Sequence, residues 1–325
     1  MTKFKKIRKL KKRVDFLKMK IDIISRGTGH ASWGKLTNKK QNTSSPLSYY
    51  KYMSQNVLLR ILEYKTIKIT NPLKFNDPMD CTFPDIELDD AGVRKTFYKY
   101  VGKEHASLLR TFKSEYDGEL QDELLKLKNE LKRIGCELAK DWNELIGNYR
   151  VLSLTTKADN LLMWSHYADE HKGVVVKFRG SPSFGQPRKV NYFDGPRRLN
   201  DFFNSMFSEI VSKETSSGFS EVDSDIAADV TLKIMREYFF MKMSDWKYEN
   251  EYRLAYEADD KRVRNLEDDL DVLNIQDDDI ESIVIGSSVS QERAHELKSL
   301  IKSTFPNVNV EKFYREGWTL KCKKV

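Results

Sequence analysis

The chain has 325 residues, enough for one large domain, or one domain with insertions, to bury a core. Hydrophobic residues make up 39% and aromatic residues 11%, which excludes wholesale disorder. The net charge of +7 is an average over two unlike parts: residues 1–40 carry 14 Lys and Arg against only Asp15 and Asp22, a balance of +12, while the remaining 285 residues carry 42 basic against 47 acidic side chains, a balance of −5. Three widely spaced cysteines, Cys81, Cys136 and Cys322, form neither a disulfide framework nor a zinc pattern, which points to a reducing compartment. No window approaches ~18 uninterrupted apolar residues, and Met1 to Lys20 has no apolar signal core. The expectation is a soluble, cytoplasmic protein of bacterial type with no membrane span.

In chain order, Lys3 to Arg13 is a basic, helix-compatible arm in which Phe4, Ile7, Leu10, Val14 and Leu17 form one narrow stripe. It is either a solvated arm or a surface for the phosphates of RNA or DNA, or for an acidic partner protein. Residues 27–46, rich in Gly, Ser, Thr and Asn, read as a linker. Tyr49 to Met53 is an aromatic strand, and Ser54 caps a helix carrying Val57, Leu58, Ile61 and Leu62. Thr66 to Thr70 alternates as a strand and runs into the turn Phe75-Asn-Asp-Pro78.

From about 91 to 148 the pattern is helical, with Leu120, Leu124, Leu127, Leu131, Ile134, Leu138, Trp142 and Leu145 on one face, as in an inserted helical hairpin. Val151 to Thr155 is a strand, Asn160 to His171 a helix, and Gly173 to Phe178 a buried strand. A polar helical region covers about 197–244. Glu251 to Tyr256 alternates, an acidic loop covers Asp268 to Asp279, and Ile283–Ile285, Gln291–Ser303 and Val308–Phe313 form a β-α-β unit.

Four clusters carry the candidate chemistry. Tyr50-Lys51-Tyr52 sets two rings around a cation; alternation places the tyrosines on one strand face and Lys51 on the other. Phe75-Asn76-Asp77-Pro78-Met79-Asp80 is either a turn built by side-chain bonds or a source of substrate-contacting Asn76 and Asp77. Leu162-Met-Trp-Ser-His-Tyr-Ala168 puts Trp164, Tyr167 and His171 on one helical face, with His166 a turn away; the rings are either core or a platform for a flat ligand. Trp246-Lys-Tyr-Glu-Asn-Glu-Tyr-Arg253 aims Glu249 and Glu251 to one face at a strand entrance. Such closeness separates the two proton affinities unless a cation such as Arg253 compensates.

In this order the clusters resemble a bacterial domain-of-unknown-function family with Tyr-x-Tyr, Phe-Asn-Asp-Pro-x-Asp, Met-Trp-Ser-His-Tyr-Ala and Trp-x-Tyr-Glu-x-Glu-x-Arg motifs, over roughly Tyr49 to Gly286. More loosely, the layout resembles the ADP-ribosyltransferase superfamily. That resemblance implies an α+β fold with a split mixed sheet and inserted helical segments for a domain at 49–325, the helical patterns at about 91–148 and 197–244 being the insertions; the basic arm and linker at 1–48, read from charge and composition, lie outside the resemblance. It implies NAD as substrate. Glu251 would be the catalytic carboxylate and Glu249 would face the acceptor; Tyr50, Lys51, Tyr52, Ser153, Thr155, Trp164 and Tyr167 would hold NAD, and Asn76, Asp77, His166 and Arg253 would contact substrate. The first motif departs from the superfamily, which usually shows His or Arg where this chain has Lys51 between tyrosines. Proteins resembling this fold include toxins of toxin–antitoxin and phage-defence systems, so the implied partners are nucleic acid, through the arm, and an antitoxin protein.

Two other function classes remain open. Asp77 or Asp80 with Glu170-His-Lys172 matches the Asp…Glu-x-Lys pattern of metal-dependent nucleases, which requires those residues to converge. A non-catalytic binding module would use the aromatics as a stacking surface. The transferase reading requires Glu251, Tyr167 and Tyr50–Tyr52 to line one cleft.

Overall fold

A computed structural model describes residues 48–83, 90–91, 117–195, 237–267 and 270–325. The basic arm and linker up to residue 47, residues 92–116 of the first helical insertion and residues 197–236 of the second lie outside the described residues. The described residues divide between two compact units. The first holds those within Cys81–Leu145 and Gly195–Phe239, including helix α2 up to Leu145, where α2 is Asp117–Gly147. There Trp142 is buried, donates its indole N–H to the Cys81 carbonyl at 2.6 Å and packs against Phe83, Tyr238 and Phe239. Of the predicted stripe, Trp142 and Leu145 are buried; the side chains of Leu120, Leu124, Leu127, Leu131, Ile134 and Leu138 lie outside the described residues.

The second unit, within Lys35–Asp80, Ile146–Asp194 and Phe240–Val325, is mixed α+β. It opens with β1 (Ser48–Met53) and α1 (Gln55–Tyr64), whose Ser54 hydroxyl caps the helix by accepting from Val57 N. The sequence then forms β2 (Thr66–Lys68), β3 (Tyr149–Thr155), α3 (Leu161–Tyr167), β4 (Val174–Arg179), β5 (Arg188–Lys189), β6 (Asn191–Phe193) and β7 (Met241–Met243). Next come a 3-10 turn at Ser244–Glu249, β8 (Glu251–Glu257), β9 (Val263–Glu267), β10 (Leu270–Asn274), β11 (Ile280–Ile285), α4 (Gln291–Thr304), β12 (Asn309–Glu316) and β13 (Thr319–Lys324).

Eight strands form one sheet in the order β13-β12-β11-β4-β1-β3-β8-β5; β2-β10-β9 and β6-β7 form smaller sheets. Within the large sheet, described pairs are antiparallel except β11–β12, the parallel pair that α4 connects. The β-α-β unit is therefore present as predicted. The strand β1 pairs with β4 along its whole length but meets β3 at a single register, Tyr50↔Thr155.

Alternation gives the sheet two unlike faces. One buries Tyr49 and Met53, Leu152 and Leu154, Val174, Val176 and Phe178, Leu254, and Ile283 and Ile285 against Leu58 and Ile61 of α1 and Ala294, Leu297 and Ile301 of α4. Each such side chain stabilises by roughly 1.5–3 kcal/mol. The other face carries a smaller cluster, with Tyr52, Val175, Val284 and Phe313 against Met163, Trp164 and Ala168.

Three predicted elements differ. The helix expected over Asn160 to His171 ends at Tyr167, because Asp169, Glu170 and His171 all take left-handed backbone angles (φ 47°, 51° and 68°). His171 thus leaves the helical face yet still stacks on Trp164, with centroids 5.9 Å apart and planes 14° from parallel. The expected loop at Asp268 to Asp279 contains β10, whose Val272 and Leu273 are buried while Asp271 pairs with Arg150. The helical region expected to reach 244 gives way to β7 at Met241–Met243. Among the described residues no helix is long and apolar enough to cross a membrane.

Candidate functional site

A cavity of about 510 Å³ opens in the second unit, within the ~300–1,000 Å³ common for ligand pockets. Its walls gather Tyr50, Lys51, Tyr52, Asn76, Asp80, His166, Tyr167, Glu249 and Glu251 from the four sequence clusters, together with Ser153 and Thr155 of β3 and the cations Lys242, Lys68 and Lys74.

The two glutamates meet by a route that strand alternation does not describe. Glu249 ends the 3-10 turn, Asn250 adopts a left-handed conformation (φ 45°), and Glu251 starts β8. Asparagine tolerates that conformation better than most residues, and its side chain is held by Thr156 Oγ1. The step carries both carboxylates onto one ammonium: Lys242 Nζ lies 2.7 Å from Glu249 Oε2 and 3.4 Å from Glu251 Oε2.

Arg253 completes the cluster. Its Nε donates to Glu251 Oε1 at 2.7 Å and its Nη2 to Glu251 Oε2 at 2.9 Å, while Nη1 donates to Asp80 Oδ1 at 2.9 Å. Lys242 also approaches Asp80 Oδ2 at 3.5 Å. Three carboxylates and two cations thus share a buried site, each residue less than a tenth exposed. Ions out of water are costly, and an apolar replacement of similar shape is often as stable or more so. Such a cluster is therefore better explained by function than by stability.

The environment separates the two glutamates. Burial alone would raise Glu251, but Arg253 and then Lys242 overcome it, aided by the Ser153 hydroxyl, and hold the carboxyl at about 2 against an ordinary 4.5. Burial raises Glu249, with Glu251 adding to the effect; Lys242 and the Tyr167 hydroxyl, which donates to Glu249 Oε1 at 2.6 Å, oppose it only in part. A pair pushed apart in this way divides into a fixed charge and a group able to exchange a proton.

Lys51 lines the same cavity as the tyrosines, contrary to the alternation. The strands β1 and β3 pair at one register only, and its ammonium reaches the Ser153 carbonyl at 2.8 Å. Burial pushes its proton affinity down, with Glu251 and Glu249 partly restoring it. Tyr52 anchors the α3 entrance: its hydroxyl donates to Lys157 O at 3.0 Å and accepts from Asn160 N at 3.3 Å. Asn160 caps α3 and donates to Tyr248 O at 2.7 Å, which ties the ring-bearing helix to the segment carrying the glutamates. Asn76 hydrogen-bonds Tyr167.

Three candidates stand elsewhere. Trp164 is fully buried and does not line the cavity: its indole N–H donates to Ala158 O at 2.8 Å, its ring is edge-on to Tyr52 and Phe313, and its face is covered by His171, so it is core. Asp77 builds the turn, its Oδ1 accepting from Met79 N at 2.9 Å. Arg253 is 1% exposed and serves as a clamp on Glu251 and Asp80 instead of a substrate contact.

Glu170 and Lys172, needed for the nuclease pattern, pair with each other at 3.4 Å on an exposed turn and do not line the cavity with Asp80. Among the described residues no group of three or more His, Cys, Asp or Glu is arranged to hold a metal ion. Sequence reasoning missed Lys242, although one cation inside the apolar run Tyr238-Phe-Phe-Met-Lys-Met243 was the available signal.

Residues 163–254 match the model of a family described as "Protein of unknown function (DUF2971)". The matched stretch includes α3 from Met163 onward, β4, Lys242, both glutamates and Arg253. None of the curated proteins and none of the solved structures compared with the chain matches it.

Proposed function

We propose that this chain is an NAD-consuming ADP-ribosyltransferase, acting on a nucleic-acid acceptor in a toxin–antitoxin or phage-defence setting. The observation that carries the reading is the convergence of Glu249, Glu251, Tyr167 and Tyr50–Tyr52 on one cavity, with the two carboxyls driven apart in proton affinity.

In the proposed reaction the tyrosines receive the nicotinamide ring, and Lys68 and Lys74 at the cavity wall meet the diphosphate. The bond between ribose C1 and the nicotinamide nitrogen breaks, and nicotinamide leaves with the electron pair. The positive charge that develops on the ribose is stabilised by Glu251, which the paired cations keep ionised and fixed. A lone pair of the acceptor then bonds to C1, and its proton passes to Glu249. With water as acceptor the same steps give NAD hydrolysis.

The test is incubation of the purified chain with NAD labelled in its adenylate, with and without RNA or DNA. Nicotinamide release and label transfer are expected, and Glu251→Gln should slow both by about 10²–10³. If neither product forms and strands are cut only when Mg²⁺ is added, the chain is a metal-dependent nuclease and the proposal is wrong.

A further inference from the structure

At one edge of the large sheet β12 and β13 form a hairpin with a basic bias: residues 309–325 hold five Lys and Arg against two Glu. The register sets Lys312 opposite Lys323 and Tyr314 opposite Lys321, so these four side chains share one face. Lys323 Nζ lies 4.3 Å from the centroid of the Tyr314 ring. The opposite face carries Phe313 and Leu320, which pack into the aromatic core beside α3 and anchor the hairpin. Its tip is the two-residue loop Gly317-Trp318. Gly317 supplies the positive φ of 59° at the first central position, and Trp318 is 100% exposed.

A single exposed ring is ordinary on a protein surface. A ring at a fixed turn, beside a second ring interleaved with three lysines, is a different matter. We propose that this hairpin holds an unpaired nucleic-acid strand, with bases stacking on Trp318 and Tyr314 and phosphates meeting Lys312, Lys321 and Lys323. Single strands suit the surface because stacking needs free base faces, which a duplex does not offer, while the lysines complement the phosphate charge. Glu316 pairs with Lys321 at 3.8 Å, but both are more than half exposed, so the pair is weak and yields to a phosphate. This inference goes beyond the enzymatic reading and does not rest on it, since binding is read without NAD.

The test is fluorescence anisotropy of labelled oligo-U and oligo-dT, each roughly 12 nucleotides long, with the full chain over a range of salt. Trp318→Ala should weaken binding about tenfold to a hundredfold, whereas Trp318→Tyr, still able to stack, should retain most of it. Lys321→Gln with Lys323→Gln should lower the slope of log affinity against log salt by about 1.4. The basic arm also attracts phosphates, but it confers no dependence on Trp318. Whichever of the RNA or DNA arms shows the tryptophan dependence identifies the strand. Unchanged binding by Trp318→Ala overturns the proposal, as does equal binding of a duplex, or competition by polyglutamate as effective as that by the oligonucleotides. Circular dichroism of each variant confirms that the fold is kept.

Discussion

The two faces of the large sheet are built on opposite terms. Under α1 and α4 the sheet buries a cluster of apolar and tyrosine side chains with no charged member, so burial there adds to stability. On the cavity side the same strands bury Glu251 and Arg253, with Asp80, Glu249 and Lys242 against them. There, stability depends on mutual pairing, and removing any one member leaves a charge without its partner. The difference teaches that the first face supports the second: an apolar layer that any well-packed core supplies lets the other side hold ions where water would otherwise be.

The largest effect expected from that contrast is at Arg253. Arg253→Leu leaves Glu251 and Asp80 buried against Lys242 alone and should cost about 3–5 kcal/mol. Leu297→Ala on the apolar face should cost a similar amount, about 2–5 kcal/mol, yet leave nicotinamide release per folded molecule intact. Urea denaturation paired with turnover assays distinguishes the two, and a Leu297 variant that loses turnover per folded molecule would erase the distinction.

A smaller effect is expected from pH. Arg253 and Lys242 hold Glu251 well below its ordinary 4.5, so its contribution is fully present above about 4.5 and is lost as pH falls through its folded value of about 2. The stability difference between the native chain and Glu251→Gln should shrink across that window. A flat difference would mean that the carboxylate is not held by its cations. Glu249, raised by burial, runs the other way: its destabilising contribution grows as pH rises above 4.5 through its folded value.

The smallest effect concerns Tyr167→Phe, which removes one hydrogen bond worth about 1 kcal/mol. Because that bond lowers Glu249, its loss should raise Glu249 further and move the acidic limb of the pH–rate profile upward. A profile that does not move would remove Glu249 from the proton-transfer role.

Much of the fold was legible because it follows alternation or a cap. Ser54 announces α1, the run Val174-Val-Val176 announces a buried strand, and Ile283–Ile285 with the helix after it announces the parallel unit. The strand β10 was hidden because Asp271 and the aspartates on either side of the strand read as loop, although Leu270-Asp-Val-Leu273 carries buried residues once β2 and β9 flank it. Within the site, local clusters named the cavity walls, since each cluster is contiguous in sequence. The Asp80–Arg253 pair escaped because it is brought together only by tertiary folding, the two residues standing 173 positions apart; Lys242 escaped although Glu249 and Glu251 follow it by seven and nine positions, because an irregular turn separates them and no helix or strand period links them. Trp164 and Tyr167 were indistinguishable as rings on one helix. Burial separates them, and burial is a property of the sheet beneath.

The left-handed run at Asp169, Glu170 and His171 carries a consequence for how the cavity wall is inherited. Each such residue costs roughly 1–2 kcal/mol, so the bend persists only where its surroundings insist on it. Those surroundings come from a distant strand end: Ser288 N donates to the His171 carbonyl at 3.1 Å, and a Cβ at Gly286 would lie 2.0 Å from that carbonyl oxygen. The pose of the aromatic wall is therefore specified twice, once beside Tyr167 and once more than a hundred residues downstream. Divergence at position 286 would disturb the wall bearing Tyr167 without altering a single residue that lines the cavity.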